Sequence, residues 1–135
     1  TRWGRRWWAP ALLGVAIMVW SCDLTRSEAL TTPFMTAQAA AALDMPVKML
    51  FTNQSVAWLL REHSARLTGF GADRWTVARH LDATVDLGVE IRACSQALSA
   101  LGADLAALSP QCAGVEGMVT FVEQGSAPGW RMLVF

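Results

Sequence analysis

The chain has 135 residues, 53% of them hydrophobic and 16% charged, and a formal net charge of zero. That length holds one core and is too short for two ordinary domains. A neutral chain with no long basic run also lacks the usual electrostatic footing for nucleic-acid binding. The charged share falls below the ~25% of a typical soluble domain, so the surplus apolar surface is expected to lie in a membrane or against copies of the same chain.

The opening TRWGRRWW is the one basic-aromatic cluster, and residues 1–12 read as an arm, left loose or packed on a neighbour. The run WWAPALLGVAIMVW, from Trp7 to Trp20, has fourteen residues including Pro10 and Gly14. A membrane-spanning helix needs ~20. Arg5 and Arg6 before the run, and Val19-Trp20-Ser21-Cys22 after it, loosely resemble a bacterial lipoprotein signal, although bulky Trp20 counts against that. A buried strand, GVAIMVW, is the better reading.

A polar turn over Cys22–Ser27 leads into EALTTPFMTAQAAAALD, whose alanine-rich half is a strong helix former, with Pro33 tolerated in the first turn. Pro46 stops it, and VKMLFT reads as a second strand. Asn53, Gln54 and Ser55 then cap a helix over VAWLLREH. SARLTGFGAD, residues 64–73, reads as a mobile loop. From Asp73 the spacing of Trp75, Val77 or Ala78, Leu81 and Val85 predicts a helix that Gly88 ends.

VEIRA is the third strand, followed by the helix SQALSAL up to Gly102, a short helix DLAAL, a helix over CAGVEGMVTFVEQG with Val115, Met118, Val119 and Val122 on one side, and a last strand WRMLVF. Strands separated by helices imply an α/β fold: a single-domain three-layer sandwich over residues 13–135, with a mostly parallel sheet of four to five strands and helices on its faces. One strand departs from the continuous apolar pattern of such sheets. Glu90, Arg92 and Cys94 share one face, and that face is expected under a partner subunit or in a wet cleft, with Glu90 and Arg92 paired or solvated.

All strand C-termini of a parallel sheet lie along one rim, where ligands bind. Cys94 falls on that rim directly before a helix, so its sulfur is either a small apolar filler or a thiolate favoured by the helix N-terminus at Ser95 and Gln96. Cys22 ends the first strand on the same rim and is either a resolving thiol or structural; Cys112 reads as structural. Three cysteines without close pairing form neither a disulfide framework nor a zinc pattern, which fits a reducing cytoplasm. His63 and His80 read as surface or capping residues, and the seven tryptophans as core and interface packing. No glycine-rich phosphate loop, GxSxG or HExxH motif is present, and no cofactor or metal is expected.

The apolar strand GVAIMVW, the helix ending AAAALD before VKMLFT, IRAC with Gly102 eight residues after the cysteine, and the tail CAGVEGMVTFVEQGSAPGWRMLVF together resemble the DsrE/DsrF-like family of bacterial sulfur-relay proteins. The resemblance covers about residues 14–135. It implies a parallel sheet of about five strands, assembly into trimers or hexamers, donor and acceptor protein partners, and a persulfide-carrying cysteine at the position of Cys94. Many relatives carry an arginine or a second cysteine shortly after the reactive one, whereas Gln96 to Leu101 offer neither, leaving the helix N-terminus, Arg26 or Arg92 to favour a thiolate. The function so implied is cytoplasmic sulfur relay on Cys94. A non-catalytic oligomerising subunit, or a thiol redox sensor using Cys22 and Cys94, is the alternative.

Overall fold

A computed structural model describes residues 13–69 and 74–135. The proposed arm over 1–12 and part of the 64–73 loop lie outside those residues. Five parallel strands form one sheet: β1 (Gly14–Val19), β2 (Val47–Phe51), β3 (Glu90–Cys94), β4 (Val115–Glu116) and β5 (Trp130–Val134), in the order β4-β3-β2-β1-β5. The helices are α1 (Thr31–Ala42), α2 (Val77–Asp86), α3 (Ser95–Ala100) and α4 (Met118–Gly125). The α/β sandwich expected from the alternation of elements is therefore the observed fold.

Alternation along the strands sorts side chains onto two faces. Val15, Ile17 and Val19 of β1, Met49 and Phe51 of β2, and Ile91 and Ala93 of β3 enter the larger core, under Phe34 and Ala37 of α1, Leu81 of α2 and the fully buried Trp58. The opposite face is thinner: Ala16, Leu50 and Cys94 are packed there under Phe121 of α4, with Met18, Met118, Trp130 and Met132 at the margin. The run from Gly14 to Val19 is thus a central strand, hydrogen-bonded to neighbours on both sides.

Two elements and one histidine differ from the sequence reading. VAWLLREH is not an α-helix but two 3₁₀ segments, Asn53–Leu59 and Arg61–His63. Ser55 to Leu59 are all buried, so no solvent-facing stripe sets an α period there. CAGVEGMVTFVEQG divides into the two-residue strand β4 and the helix α4, with Gly114 at φ 132 before the strand and Gly117 as the helix N-cap. On α4 it is Phe121 and Gly125 that turn inward, whereas Val119 and Val122 are 80% and 43% exposed. Finally His80, read as a surface or capping residue, is buried and stacked on Phe34 at 5.2 Å, because the apolar face of α2 turns it onto α1.

Candidate functional site at the sheet rim

Cys94 is the last residue of β3, and Ser95 opens α3, as the apolar-polar alternation of VEIRAC followed by SQALSA dictates. Its register partner on β4 is Glu116. A wet cleft, one of the two surroundings expected for this face, does not reach the sulfur. Cys94 is 2% exposed within the cluster of Ala16, Leu50 and Phe121, and among the described residues no hydrogen bond reaches its sulfur. The reason is the packing of this face, where Cys94 belongs to one buried cluster with Phe121 of α4 and where Ala97 and Met118 pack against it. Ser95 is half-buried and Gln96 exposed in the first turn of α3.

The other polar residues of the strand are paired, as expected. Arg92 Nε donates to Glu90 Oε1, and its Nη1 donates to the Val115 carbonyl at 3.4 Å. The bond it donates to Glu90 is the main reason Arg92 holds its proton even more firmly than a free guanidinium. Its charge is therefore directed at Glu90 and the β4 backbone.

Cys22 lies in the larger core, on the other face from Cys94. Its backbone N–H donates to Ser55 Oγ at 2.9 Å, and Trp58 Nε1 donates to its carbonyl at 2.7 Å, so it ties the end of β1 to the 53–59 segment. Burial pushes its thiol above the ordinary range, with a hydrogen bond from Ser21 opposing. Cys112, in the connection before β4, donates its S–H to the Gly114 carbonyl at 3.3 Å, and burial raises its pKa too.

Two features have no counterpart in the sequence reading. Lys48 Nζ meets Glu116 Oε1 at 2.8 Å, with both side chains buried and Glu116 Oε2 left without a partner among the described residues. The available signal was a lysine inside the otherwise apolar VKMLF. The second feature is a pair of adjoining hollows beside the C-terminal end of β1, of about 290 and 320 Å³, which share Asp23 and Gln54. Their walls come from the segments that follow β1 and β2 and, in the larger, also from Leu101 after α3. Ligands of open α/β sheets bind outside this C-terminal rim of the strands.

Among the described residues, no helix is long and apolar enough to cross a membrane. No protein-family model matches the chain, and no curated protein matches it in sequence. Solved structures do resemble it. The ychN protein from E. coli aligns with a TM-score of 0.69 at 15% identity, covering 90% of this chain and 99% of that one. MTH1491 from Methanobacterium thermoautotrophicum, a protein of unknown function, aligns at 0.65 and 18% identity over 90% and 97%. BT1422 from Bacteroides thetaiotaomicron, a conserved protein of unknown function, aligns at 0.62 and 13% identity over 90% and 94%. At these identities the likeness is one of fold, shared over nearly the full length of each chain.

Proposed function

We propose that the chain is a cytoplasmic sulfur-relay protein of the DsrE/DsrF-like type, in which Cys94 accepts sulfane sulfur and hands it to a partner protein. The observation that carries this reading is the position of Cys94, at the C-terminal end of β3 and the start of α3, on the rim of a five-stranded parallel sheet. In the step proposed, the Cys94 thiolate attacks the outer sulfur of a donor persulfide; the new S–S bond forms on Cys94 and the donor leaves as a thiolate. An acceptor thiolate then attacks the same outer sulfur and releases Cys94. Because the thiol is buried in one cluster with Phe121, reaction requires local opening of that cluster. Exposed Val119, Val122, Leu133 and Val134 give the α4 face and the β5 edge an apolar surface suited to homo-oligomer contact.

The test is incubation with a persulfide donor followed by intact-mass measurement. One added sulfur in the parent and none in Cys94→Ser supports the reading; equal uptake by the variant removes it. A non-catalytic oligomerising subunit is the second reading, favoured by the burial of Cys94. It expects no sulfur uptake, with self-association that Val119→Glu disrupts. The redox-sensor alternative is less well supported, because Cys22 and Cys94 sit in clusters on opposite faces of the sheet.

A further inference from the structure

The two hollows beside β1 have different characters. One is walled by Trp20, Ser21, Arg26 and Asn53 and is mixed, about equally polar and apolar; the other is walled by Leu24, Thr25, Ala57 and Leu101 and is largely apolar; Asp23 and Gln54 belong to both. Each reaches the lower end of the ~300–1,000 Å³ range of small-molecule sites.

The charges are arranged in a way that narrows the ligand. Asp23 Oδ1 accepts from the Thr25 backbone N–H at 2.9 Å and from the Thr25 hydroxyl at 2.5 Å. Those bonds, with a smaller contribution from Arg26, hold the Asp23 carboxyl below its usual range, so it is an anion at neutral pH. Arg26 makes one long bond, Nη1 to the Ser21 carbonyl at 3.5 Å. Among the described residues the two do not close into an ion pair with each other. An anion held by Thr25 and an exposed cation thus line the same hollow, near enough to feel each other and still able to take other partners. A singly charged ligand would be attracted by one and repelled by the other, whereas a ligand with adjacent ammonium and carboxylate groups can satisfy both.

The remaining walls suit the rest of such a molecule. Trp20, 49% exposed, offers an aromatic flank, and Asn53 and Gln54 offer amide donors and acceptors. The adjoining apolar hollow can take an aliphatic side chain against Leu24, Ala57 and Leu101. We infer that this rim cleft binds a small zwitterion, an α-amino acid with an apolar side chain, at a site that does not use Cys94.

The test is a titration of the isotope-labelled full chain with L-methionine, followed by NMR shifts of the Trp20 indole N–H, the Gln54 amide and the Leu101 methyls. N-acetyl-L-methionine and L-methionine methyl ester each remove one ligand charge. Saturable shifts at all three probes, with each analogue at least about fivefold weaker, are expected from losing one charge-assisted contact at an open site. Arg26→Gln and Asp23→Asn should weaken L-methionine similarly. Absence of saturable shifts up to about 50 mM, or binding of both analogues as tight as that of L-methionine, would overturn the inference. The readout contains no sulfur transfer, so its result and that of the Cys94 mass experiment are independent.

Discussion

Lys48 on β2 reaches across β3 to Glu116 on β4, with Nζ and Oε1 2.8 Å apart and side-chain exposures of 10% and 9%. One ion pair therefore joins three adjacent strands on the thinner face of the sheet, and it fastens β4, which has only two residues of its own.

Removing one partner should cost more than removing both. Lys48→Met leaves the Glu116 carboxylate buried and unpaired, and a loss of about 2–4 kcal/mol in urea-denaturation stability is expected. Lys48→Met combined with Glu116→Leu should recover most of that loss. A double variant as unstable as the single one would show that the pair adds stability beyond mere neutralisation.

The thiols of Cys22 and Cys112 make the fold sensitive to alkali. Burial raises both, so the folded chain keeps protons that the unfolded chain releases near the ordinary thiol value of ~8.5. Above that value the folded state binds more protons than the unfolded state, and stability falls as pH rises. This contribution is complete below about pH 8 and is lost as pH climbs through the raised values. Urea midpoints taken from pH 7 to pH 10 should decline, and Cys22→Ala with Cys112→Ala should flatten the decline.

Labelling of Cys94 by iodoacetamide should be slow relative to a free thiol and limited by opening of the Phe121 cluster. Phe121→Leu leaves a partly filled site above the sulfur, and a several-fold faster reaction is expected under conditions where far-ultraviolet circular dichroism remains native. Equal rates in parent and variant would place the opening elsewhere than at α4. In this experiment Cys22→Ala and Cys112→Ala are included so that one thiol is read.

Gly14 opens β1 directly under an indole. A Cβ there would lie 2.6 Å from two ring atoms of Trp130, its register partner on β5. The ring cannot bend away, so Gly14→Ala should shift the β1–β5 contact and cost about 1–3 kcal/mol, measurable by thermal denaturation. A second substitution, Trp130→Leu, should relieve much of it.

Much of the sheet was legible in the sequence because its strands are short apolar runs bounded by Pro46, Gly88 and Gly129, and because Cys94 ends one such run immediately before a helix. β4 was not, since Val115 shares an apolar spacing with Met118, Val119 and Val122 of the helix that follows, and two residues set no period of their own. The burial of Cys94 was also hidden. It depends on which side of the sheet α4 crosses, a tertiary choice that the period of α4 does not encode. The Lys48–Glu116 contact was equally out of reach, joining residues far apart in the chain whose strands become near neighbours only once β3 lies between them.

The position of β5 bears on how the molecule is made. β1 precedes the other four strands in the chain, yet one of its two hydrogen-bonding flanks stays vacant until Trp130–Val134 has been synthesised. During translation β1 can acquire β2, β3 and β4 on one side while its other side remains open, a sticky ribbon that a chaperone or another nascent chain could occupy. Completion of the native sheet therefore waits on the last of its strands in chain order, and chains cut before Trp130 should be captured by holdase chaperones more readily than chains that include Trp130–Val134.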